Sequence, residues 1–379
     1  MKKKVEQAQK YLQEKQLDGW LLYDFHKNNE LAHRFLEIPA AKMTTRRFFY
    51  WIPAKGTPVR IVHAIEAGVL DAWPGEKRVF SSWQSLEKEV RSVLKGSKRI
   101  AMEYSKVDAG TVDLVRSFGV EVVSSADFLL YFTSVLTEEQ MGSQRRAATA
   151  LSEIVEGVWA FVRKTVTEQD VQAYILKEFE KRGLVTDAPP IVAVNAHSAD
   201  PHFSVSSTPI RKGDFLLIDL WAKEKGENSV FGDITRVAVV DTKATAKQEE
   251  IFQIVRKAQK AGFALVKDRM GAKKPLQGWE VDEAVRSVIR KAGYGEFFIH
   301  RTGHNIGVEL HGSGTHMDNL ETHEVRPIVP MTCFSVEPGI YLPGQFGVRL
   351  ESDVLIHRDG RVEITGGEMD QLICLLKGL

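Results

Sequence analysis

Five side chains suited to hard metal ions are spread over the second half of the sequence, each beside a short apolar run or a glycine. They are four carboxylates and one imidazole: Asp219, Asp233, His304, Glu337 and Glu351. Four carboxylates brought together without cations repel one another and become protonated. Oxygen-rich ligation with one nitrogen suits a pair of Mn²⁺, Co²⁺, Fe²⁺ or Zn²⁺ ions. We therefore expect two divalent metal ions, with a bridging water that is deprotonated near neutral pH and acts as nucleophile.

The first two carboxylates are ambiguous when taken alone. Asp219 ends an apolar run, Asp233 opens the next one, and the polar residues 223–228 between them are typical of a hairpin loop. A carboxylate on a buried strand is costly unless it is paired or bound to a cation. Two antiparallel strands would bring both carboxylates onto one face. An ion pair with Arg236 explains Asp233 equally well, so both interpretations stay open from these residues.

The histidine of the set lies in a more specific pattern. Residues 300–307 read HRTGHNIG, and the glycines beside His304 permit tight backbone geometry and close approach of a ligand. An extended backbone would direct His311 into the same region. Glu337 closes an apolar strand, and Glu351 follows another. The remaining ligands are thus expected at strand ends.

The elements that must position these residues are helices and strands of an α+β domain. Capping-box patterns at Thr137 and Thr167 predict two helices, the first running to about Val166 and the second ending at Gly183. Two more helices are predicted near residues 246–267 and 281–292. Strands are predicted at residues 191–194, 215–220, 234–240, 333–336, 348–350 and 354–356.

Residues 1–134 have a different organisation. Helices alternate with strands, which predicts an α/β domain with a mixed sheet. Its histidines, His26, His33 and His63, belong to no dense polar cluster, so we interpret them as structural or surface residues. A boundary near residue 134 gives two predicted domains, 1–134 and 135–379.

Composition excludes several classes of protein. The formal net charge of the 379 residues is +1, which supplies no broad basic surface for nucleic acid. Apolar runs fall short of the roughly 20 residues of a membrane span, so no membrane partner is expected. Cys333 and Cys374 both stand in apolar surroundings, which predicts buried reduced thiols and a cytoplasmic location.

A wider set of residues resembles the signature of the M24 metallopeptidases. It runs from Val281 and Asp282 through Arg286 and residues 292–295 to residues 300–307. This superfamily includes Xaa-Pro aminopeptidases, prolidases, methionine aminopeptidases and creatinases. The resemblance implies a pita-bread catalytic domain preceded by a smaller creatinase-like α/β domain.

The resemblance also implies a role for each ligand. Asp219 would chelate one metal, and Asp233 and Glu351 would bridge both. His304 and Glu337 would complete the second site.

Further residues match functional positions of the family. His202 and His311 match histidines that contact substrate and assist the tetrahedral intermediate, and Glu337 would take a proton from the bridging water. Tyr341 and Arg349 match positions that hydrogen-bond around the metal-ligand aspartate. His316 and His323 have no role in this pattern and are expected on surface loops.

The sequence departs from the family pattern close to the expected substrate. Trp221 stands where a glycine is usual and is expected to shape the entrance to the cleft. His311 is followed by Gly312, where many Xaa-Pro enzymes have glutamate, and residues 230–232 replace a usual Gly-Tyr. These changes concern the substrate pocket and leave the metal ligands intact.

The resemblance favours a metal-dependent aminopeptidase or dipeptidase that acts on small X-Pro peptides as a homodimer. A C–N hydrolase of the creatinase type, working through histidine without metal, is one alternative. A catalytically altered peptide-binding relative is another. Both alternatives predict loss of metal ligands, whereas all five are present.

Overall fold

The computed structural model describes residues 1–39, 41–162 and 166–377. Two compact units are present, Met1–Thr133 and Ser134–Leu379. The helices of the first unit are α1 (Lys2–Glu14), α2 (Glu30–Phe35), α3 (Trp83–Val93), α4 (Ala109–Arg116) and α5 (Ala126–Thr133). Its strands are β1 (Gly19–Asp24), β2 (Phe48–Pro53), β3 (Val59–His63), β4 (Glu76–Phe80), β5 (Arg99–Met102) and β6 (Glu121–Ser124).

The first unit is a mixed sheet covered by helices on both faces. The strand order is β4-β3-β2-β1-β5-β6, with antiparallel pairing among β1, β2 and β3 and parallel pairing toward both edges. Helices α1, α2 and α5 pack on one face of the sheet, and α3 and α4 pack on the other. The predicted α/β class of this segment is therefore confirmed.

One carboxylate is buried in the core of this first unit. Glu103 is only 1% exposed and accepts hydrogen bonds from the Trp20 indole, from Ser125 Oγ at 3.2 Å and from Asn29 Nδ2 at 2.9 Å. Loss of solvation raises the pKa of Glu103 to about 7 despite these donors. The native state therefore holds this proton more tightly than the unfolded chain does.

The second unit contains the predicted helix pairs, each followed by strands. Its helices are α6 (Glu138–Phe161), α7 (Glu168–Lys181), α8 (Ala246–Gly271) and α9 (Gly278–Lys291). Its strands are β7 (Val166–Thr167), β8 (Leu184–Val185), β9 (Ile191–Val194), β10 (Pro209–Ile210), β11 (Phe215–Glu224), β12 (Gly232–Val239), β13 (Asn305–Ile306), β14 (Thr332–Val336), β15 (Gly339–Leu342), β16 (Phe346–Arg349), β17 (Ser352–Ile356), β18 (Val362–Thr365) and β19 (Ile373–Cys374).

The hairpin of β11 and β12 runs through the middle of this unit. Alternate residues of a strand point to opposite faces, and both faces of the hairpin are apolar. Leu216, Ile218 and Leu220 pack in the cluster that includes α6 and α7, whereas Phe215 and Leu217 pack in the cluster that includes α8 and α9. Asp219 and Asp233, in the central part of this hairpin, are therefore held inside the protein.

A buried ion pair on α9 fixes the segment that leads to His304. Arg286 and Asp282 are one helical turn apart, with Nε to Oδ2 at 2.9 Å. Arg286 also donates to the carbonyls of Phe298 and His300 at 2.9 and 2.8 Å, and Asp282 accepts from the Thr302 N–H at 2.9 Å. Asp282 and Arg286 thus hold the backbone of the HRTGHNIG segment against the helix.

The loop after β13 is packed around one amide side chain. Asn305 donates to the Cys333 carbonyl at 2.8 Å and accepts from the Gly314 N–H at 2.9 Å. A Cβ added to Gly312 would stand 2.3 Å from Asn305 Oδ1, and one added to Gly314 would also collide with this amide. Gly312 is therefore required by the packing of this chain.

Several boundaries differ from the sequence-based predictions. Helix α6 ends at Phe161, short of the predicted Val166, and Val166 begins β7; residues 163–165 lie outside the described part of the chain. Strand β11 continues to Glu224, so the predicted hairpin loop is shorter than residues 223–228. Its last residues are held by pairing with β8, which the local sequence does not reveal.

Two side chains are also placed differently from the predictions. Cys333 is buried as predicted, but Cys374 is only half-buried because β19 lies at the edge of its sheet. His316 is half-buried and accepts the Asn305 N–H at 3.1 Å, so its assignment to a surface loop was wrong. None of the described helices is long and apolar enough to cross a membrane.

The Gly312→Ala variant should be less stable than the native protein by about 1–3 kcal/mol, the usual cost of overpacking. The new methyl group would collide with the hydrogen-bonded Asn305 amide. Urea unfolding measures the difference. The matched control is Gly307→Ala, where the nearest atom to the added Cβ is 3.9 Å away. Equal stability of the two variants would contradict this account, and Asn305→Gly should relieve the Gly312→Ala defect.

The Glu103→Gln variant should remove a pH dependence from the first unit. Because the folded pKa of about 7 lies above the ordinary 4.5, the stabilising effect of protonation is complete below pH 4.5 and is lost as pH rises through 7. Between these limits the native protein should lose roughly 3 kcal/mol relative to the variant, at about 1.4 kcal/mol per pH unit. Hydrogen exchange of the β1 amides measures the free energy of unfolding of this unit at each pH. The control variant is Glu121→Gln, because Glu121 is exposed. Parallel pH profiles for native and variant protein would refute it.

Candidate metal centre

The central hairpin brings two of the predicted ligands to one face. In the antiparallel register, Asp219 pairs with Thr235 and Trp221 pairs with Asp233. Directly opposite residues of an antiparallel pair point to the same side, so Asp219 and Asp233 share a face. Both side chains are buried. The prediction that a hairpin joins these carboxylates is borne out by the geometry.

The other three predicted ligands arrive from separate strands. His304 precedes β13, Glu337 lies between β14 and β15, and Glu351 lies between β16 and β17. His304 Nε2 is 3.4 Å from Asp233 Oδ2 and 3.5 Å from Glu337 Oε1. Ligand atoms of Asp233, His304 and Glu351 all lie within 4.8 Å of one another. These distances allow one ion to contact several of the side chains.

Ser335 links two of these residues and had no signal of its own in the sequence. Its hydroxyl accepts the His304 N–H at 3.0 Å and donates to Glu337 Oε1 at 3.0 Å. The His304 carbonyl in turn accepts from the Ser335 N–H at 2.9 Å. Pairing of β13 with β14 therefore sets the position of His304 relative to Glu337.

The electrostatics of the cluster favour a bound cation. Burial and repulsion from neighbouring carboxylates raise the pKa of Asp233 and that of Glu351 well above their ordinary values. Burial raises the pKa of Glu337 to about 7. Burial also lowers the pKa of His304 well below its ordinary value, which keeps the imidazole neutral and able to ligate.

Two buried carboxylate oxygens without hydrogen-bond partners in the described part of the chain indicate that a metal ion fits this cluster. Asp219 Oδ1 and Asp233 Oδ1 are buried and accept no hydrogen bond from the described residues. Buried polar atoms are almost always paired, so two orphaned carboxylate oxygens on one face are the donors that a divalent cation would use. The donor set, carboxylates with one neutral imidazole, fits such an ion.

The guanidinium of Arg349 brings one positive charge to the carboxylate cluster. It forms a buried ion pair with Asp219 Oδ2 and donates to Thr235 Oγ1 at 3.0 Å. Thr235 in turn donates to Glu351 Oε2 at 2.7 Å. Arg236 instead donates to backbone carbonyls, including that of Glu351. The alternative explanation of Asp233 as the ion-pair partner of Arg236 was therefore wrong.

A hydrogen-bond chain behind Arg349 fixes its orientation. Arg349 Nη1 donates to Tyr341 Oη at 3.0 Å, and Tyr341 Oη lies 2.7 Å from His300 Nε2. His300 Nδ1 is 2.7 Å from the Arg301 carbonyl and must donate to it. Burial lowers the pKa of His300 to about 3, so its Nε2 carries no proton. His300 Nε2 therefore accepts a hydrogen bond from the Tyr341 hydroxyl. His300 is a further positioning residue that the sequence pattern did not single out.

Asp353 is another carboxylate that sequence reasoning missed. Its Oδ2 accepts from Gln144 Nε2 at 2.7 Å and from the Asp233 N–H at 2.9 Å, while its Oδ1 is buried without a partner among the described residues. Asp353 follows Glu351 at a spacing of two, which in an extended chain directs both side chains to one face. That spacing was the available signal.

One predicted substrate histidine, His311, lies beside the cluster. The His311 ring lies 4.3 Å from the His304 ring, centroid to centroid, which confirms that the two share one region. Burial and the charge of Arg301 lower the pKa of His311. The other, His202, is exposed on the loop after β9.

Known proteins resemble this chain over most of its length. Residues 143–358 match the model of metallopeptidase family M24. The putative dipeptidase YkvY of Bacillus subtilis is 30% identical over 295 residues, which cover 77% of each protein. The Xaa-Pro dipeptidase of Pyrococcus furiosus is 28% identical over 286 residues, covering 75% of this chain and 78% of that protein.

A solved structure agrees in fold. Dipeptidase PepE from Mycobacterium ulcerans superposes with a TM-score of 0.73 at 23% identity, over 98% of this chain and 97% of that one. The predicted α+β class with a pita-bread catalytic unit is confirmed. The family model spans more than half of the sequence and includes all five predicted ligands. The chain therefore belongs to metallopeptidase family M24, in its prolidase branch.

Proposed function

We propose that this protein hydrolyses small X-Pro peptides, as a dipeptidase or an aminopeptidase, with two divalent metal ions. The observation that carries the proposal is the meeting of three buried carboxylates, the half-buried Glu337 and one neutral imidazole, with two carboxylate oxygens left unpartnered. The relatives named dipeptidase and Xaa-Pro dipeptidase support the choice of substrate.

Each ligand has a proposed part in holding the ions. Asp219 would hold one ion, His304 and Glu337 would hold the other, and Asp233 and Glu351 would be shared between them. Mn²⁺, Co²⁺, Zn²⁺ and Fe²⁺ all suit this donor set. When bound, such ions supply Lewis acidity and lower the pKa of water.

The protein's own side chains move protons and stabilise charge. Glu337 accepts a hydrogen bond from Ser335 Oγ. In this proposal its carboxylate accepts a proton from the attacking water. His311, adjacent to His304, and His202 donate hydrogen bonds to the oxyanion that develops on the scissile carbonyl. Arg349, held by Tyr341, keeps Asp219 oriented. These assignments make Glu337, His311 and His202 the catalytic residues of the proposal.

We also propose that residues 135–379 carry the catalytic site and that residues 1–134 form a separate domain. Assembly as a homodimer and a cytoplasmic location complete the proposed description. Sedimentation equilibrium of the whole chain measures the oligomeric state, and a monomer at micromolar concentration would refute the dimer.

Removal of metal should abolish hydrolysis of both an X-Pro dipeptide and a longer X-Pro-Y peptide. Mn²⁺ or Co²⁺ added after chelation should restore it, because the carboxylate cluster cannot activate water alone. Glu351→Gln should lower kcat/KM at least 100-fold and reduce bound metal, measured by elemental analysis. The control is Glu368→Gln, an exposed glutamate. Tight metal binding without cleavage of either peptide would refute the peptidase proposal and favour a C–N hydrolase or a binding protein.

Tyr341→Phe should lower kcat/KM about 10- to 100-fold, the usual effect of losing a residue that orients metal ligands. The variant removes the hydroxyl between His300 and Arg349, so the Asp219 carboxylate loses its fixed orientation. Activity and bound metal are measured together. Tyr294→Phe, whose hydroxyl bonds Glu250 on the surface, is the control. Identical kinetics for both variants would show that the hydroxyl has no positioning role.

A further inference from the structure

The indole of Trp221 lies beside the proposed metal centre. Trp221 is two residues beyond Asp219 on β11 and pairs directly with Asp233 on β12. Strand alternation and antiparallel pairing therefore direct its side chain to the face that carries both carboxylates. An aromatic ring at this position occupies the space next to the ligands, where a glycine would leave it open.

Contacts on two sides hold the Trp221 ring in place. One part of the ring packs against the apolar cluster that includes Phe231, Ile306 and Leu310. Its Nε1 donates to Asp187 Oδ1 at 2.7 Å. The side chain is only half-buried, so the remaining surface of the indole is accessible. The ring is thus a fixed wall with one open face.

The carboxylate at the end of this wall has a free oxygen. Asp187 is exposed, and Oδ2 has no hydrogen-bond or ion-pair partner in the part of the chain that the structure describes. The nearby cation, Lys223, donates to the Val308 carbonyl at 2.6 Å and lies over the Phe231 ring, so it does not neutralise Asp187 by direct contact.

Asp187 is linked to the face of the proposed ligands through the Trp221 ring. Trp221 pairs with Asp233 on β12, and its Nε1 donates to Asp187 Oδ1 at 2.7 Å. A substrate bound at this face therefore has both the indole and this carboxylate within reach of its side chains.

We propose that Trp221 and Asp187 form the subsite for the side chain of the substrate's first residue, and that this subsite favours long basic side chains. The aliphatic stem of lysine or arginine would pack on the indole, and its charged end would bind Asp187. In an X-Pro dipeptide only the first residue can supply a basic side chain, because the second is proline. The inference rests on the proposed X-Pro hydrolysis.

The experiment compares two dipeptides that differ in one charge. Lysyl-proline and norleucyl-proline have side chains of similar length, so their ratio of kcat/KM isolates the ammonium group. We expect the native enzyme to prefer lysyl-proline about 5- to 10-fold, and less at high salt. Asp187→Asn keeps an oxygen acceptor for the indole, so it should bring the ratio of the two kcat/KM values to within about 2-fold. Glu227→Gln, at the exposed hairpin tip, is the matched charge control.

A second variant tests the apolar wall. Trp221→Gly should lower kcat/KM for lysyl-proline and norleucyl-proline several-fold relative to glycyl-proline, which has no side chain to pack. A native ratio near one, or an Asp187→Asn variant that affects both dipeptides equally, would overturn the proposal.

Measuring dipeptide binding distinguishes a missing basic subsite from a missing peptidase activity. If the native enzyme cleaves no X-Pro peptide, calorimetric titration of the metal-loaded protein with the same dipeptides replaces kinetics. Tighter binding of lysyl-proline that is lost in Asp187→Asn would support the subsite while the peptidase proposal fails. Absence of both cleavage and binding would overturn both.

Discussion

Mutual repulsion among buried carboxylates is the constraint on which the second unit depends. The buried Asp219, Asp233 and Glu351 and the half-buried Glu337 converge from three different strand connections. A lone carboxylate in an apolar interior is destabilising. The fold offsets part of this cost with Arg349, which pairs with Asp219 and bonds to Thr235. The orphaned oxygens of Asp219 and Asp233 show that the protein's own donors do not complete the compensation. The remaining charge is matched to divalent cations.

The rest of the unit holds these groups still. Arg286 and Asp282 fasten the backbone before His304 to α9, and Ser335 joins His304 to Glu337. Behind the ligands, the His300–Tyr341–Arg349 chain runs from a backbone carbonyl to a metal-ligand carboxylate. Each link has a defined donor and acceptor, which gives the site little freedom to rearrange. Such rigidity suits catalysis by prearranged charge.

The two departures at the substrate side have different physical meanings. Gly312 is required because the Asn305 amide fills the space beside it, so the absence of a glutamate there follows from packing. Trp221, in contrast, adds a large ring to a face that carries metal ligands and anchors it to Asp187. Gly312 accommodates a neighbouring side chain, whereas Trp221 changes the surface beside the proposed metal ligands.

The sequence alone predicted the five proposed ligands, the alternation of helices and strands in the first unit, and the family. The ligands were named from the types of single residues at strand ends and beside glycines, and the strands and helices from local periodicity. Asp219, Asp233, His304, Glu337 and Glu351 could therefore be named before any coordinates. Asp353, Ser335 and His300 could not be assigned in this way, because their roles depend on partners that are distant along the chain. Asp353, for example, is held by Gln144, 209 positions away. The extension of β11 to Glu224 and the direction of the Trp221 ring also required the tertiary structure, because pairing with β8 and β12 decides them.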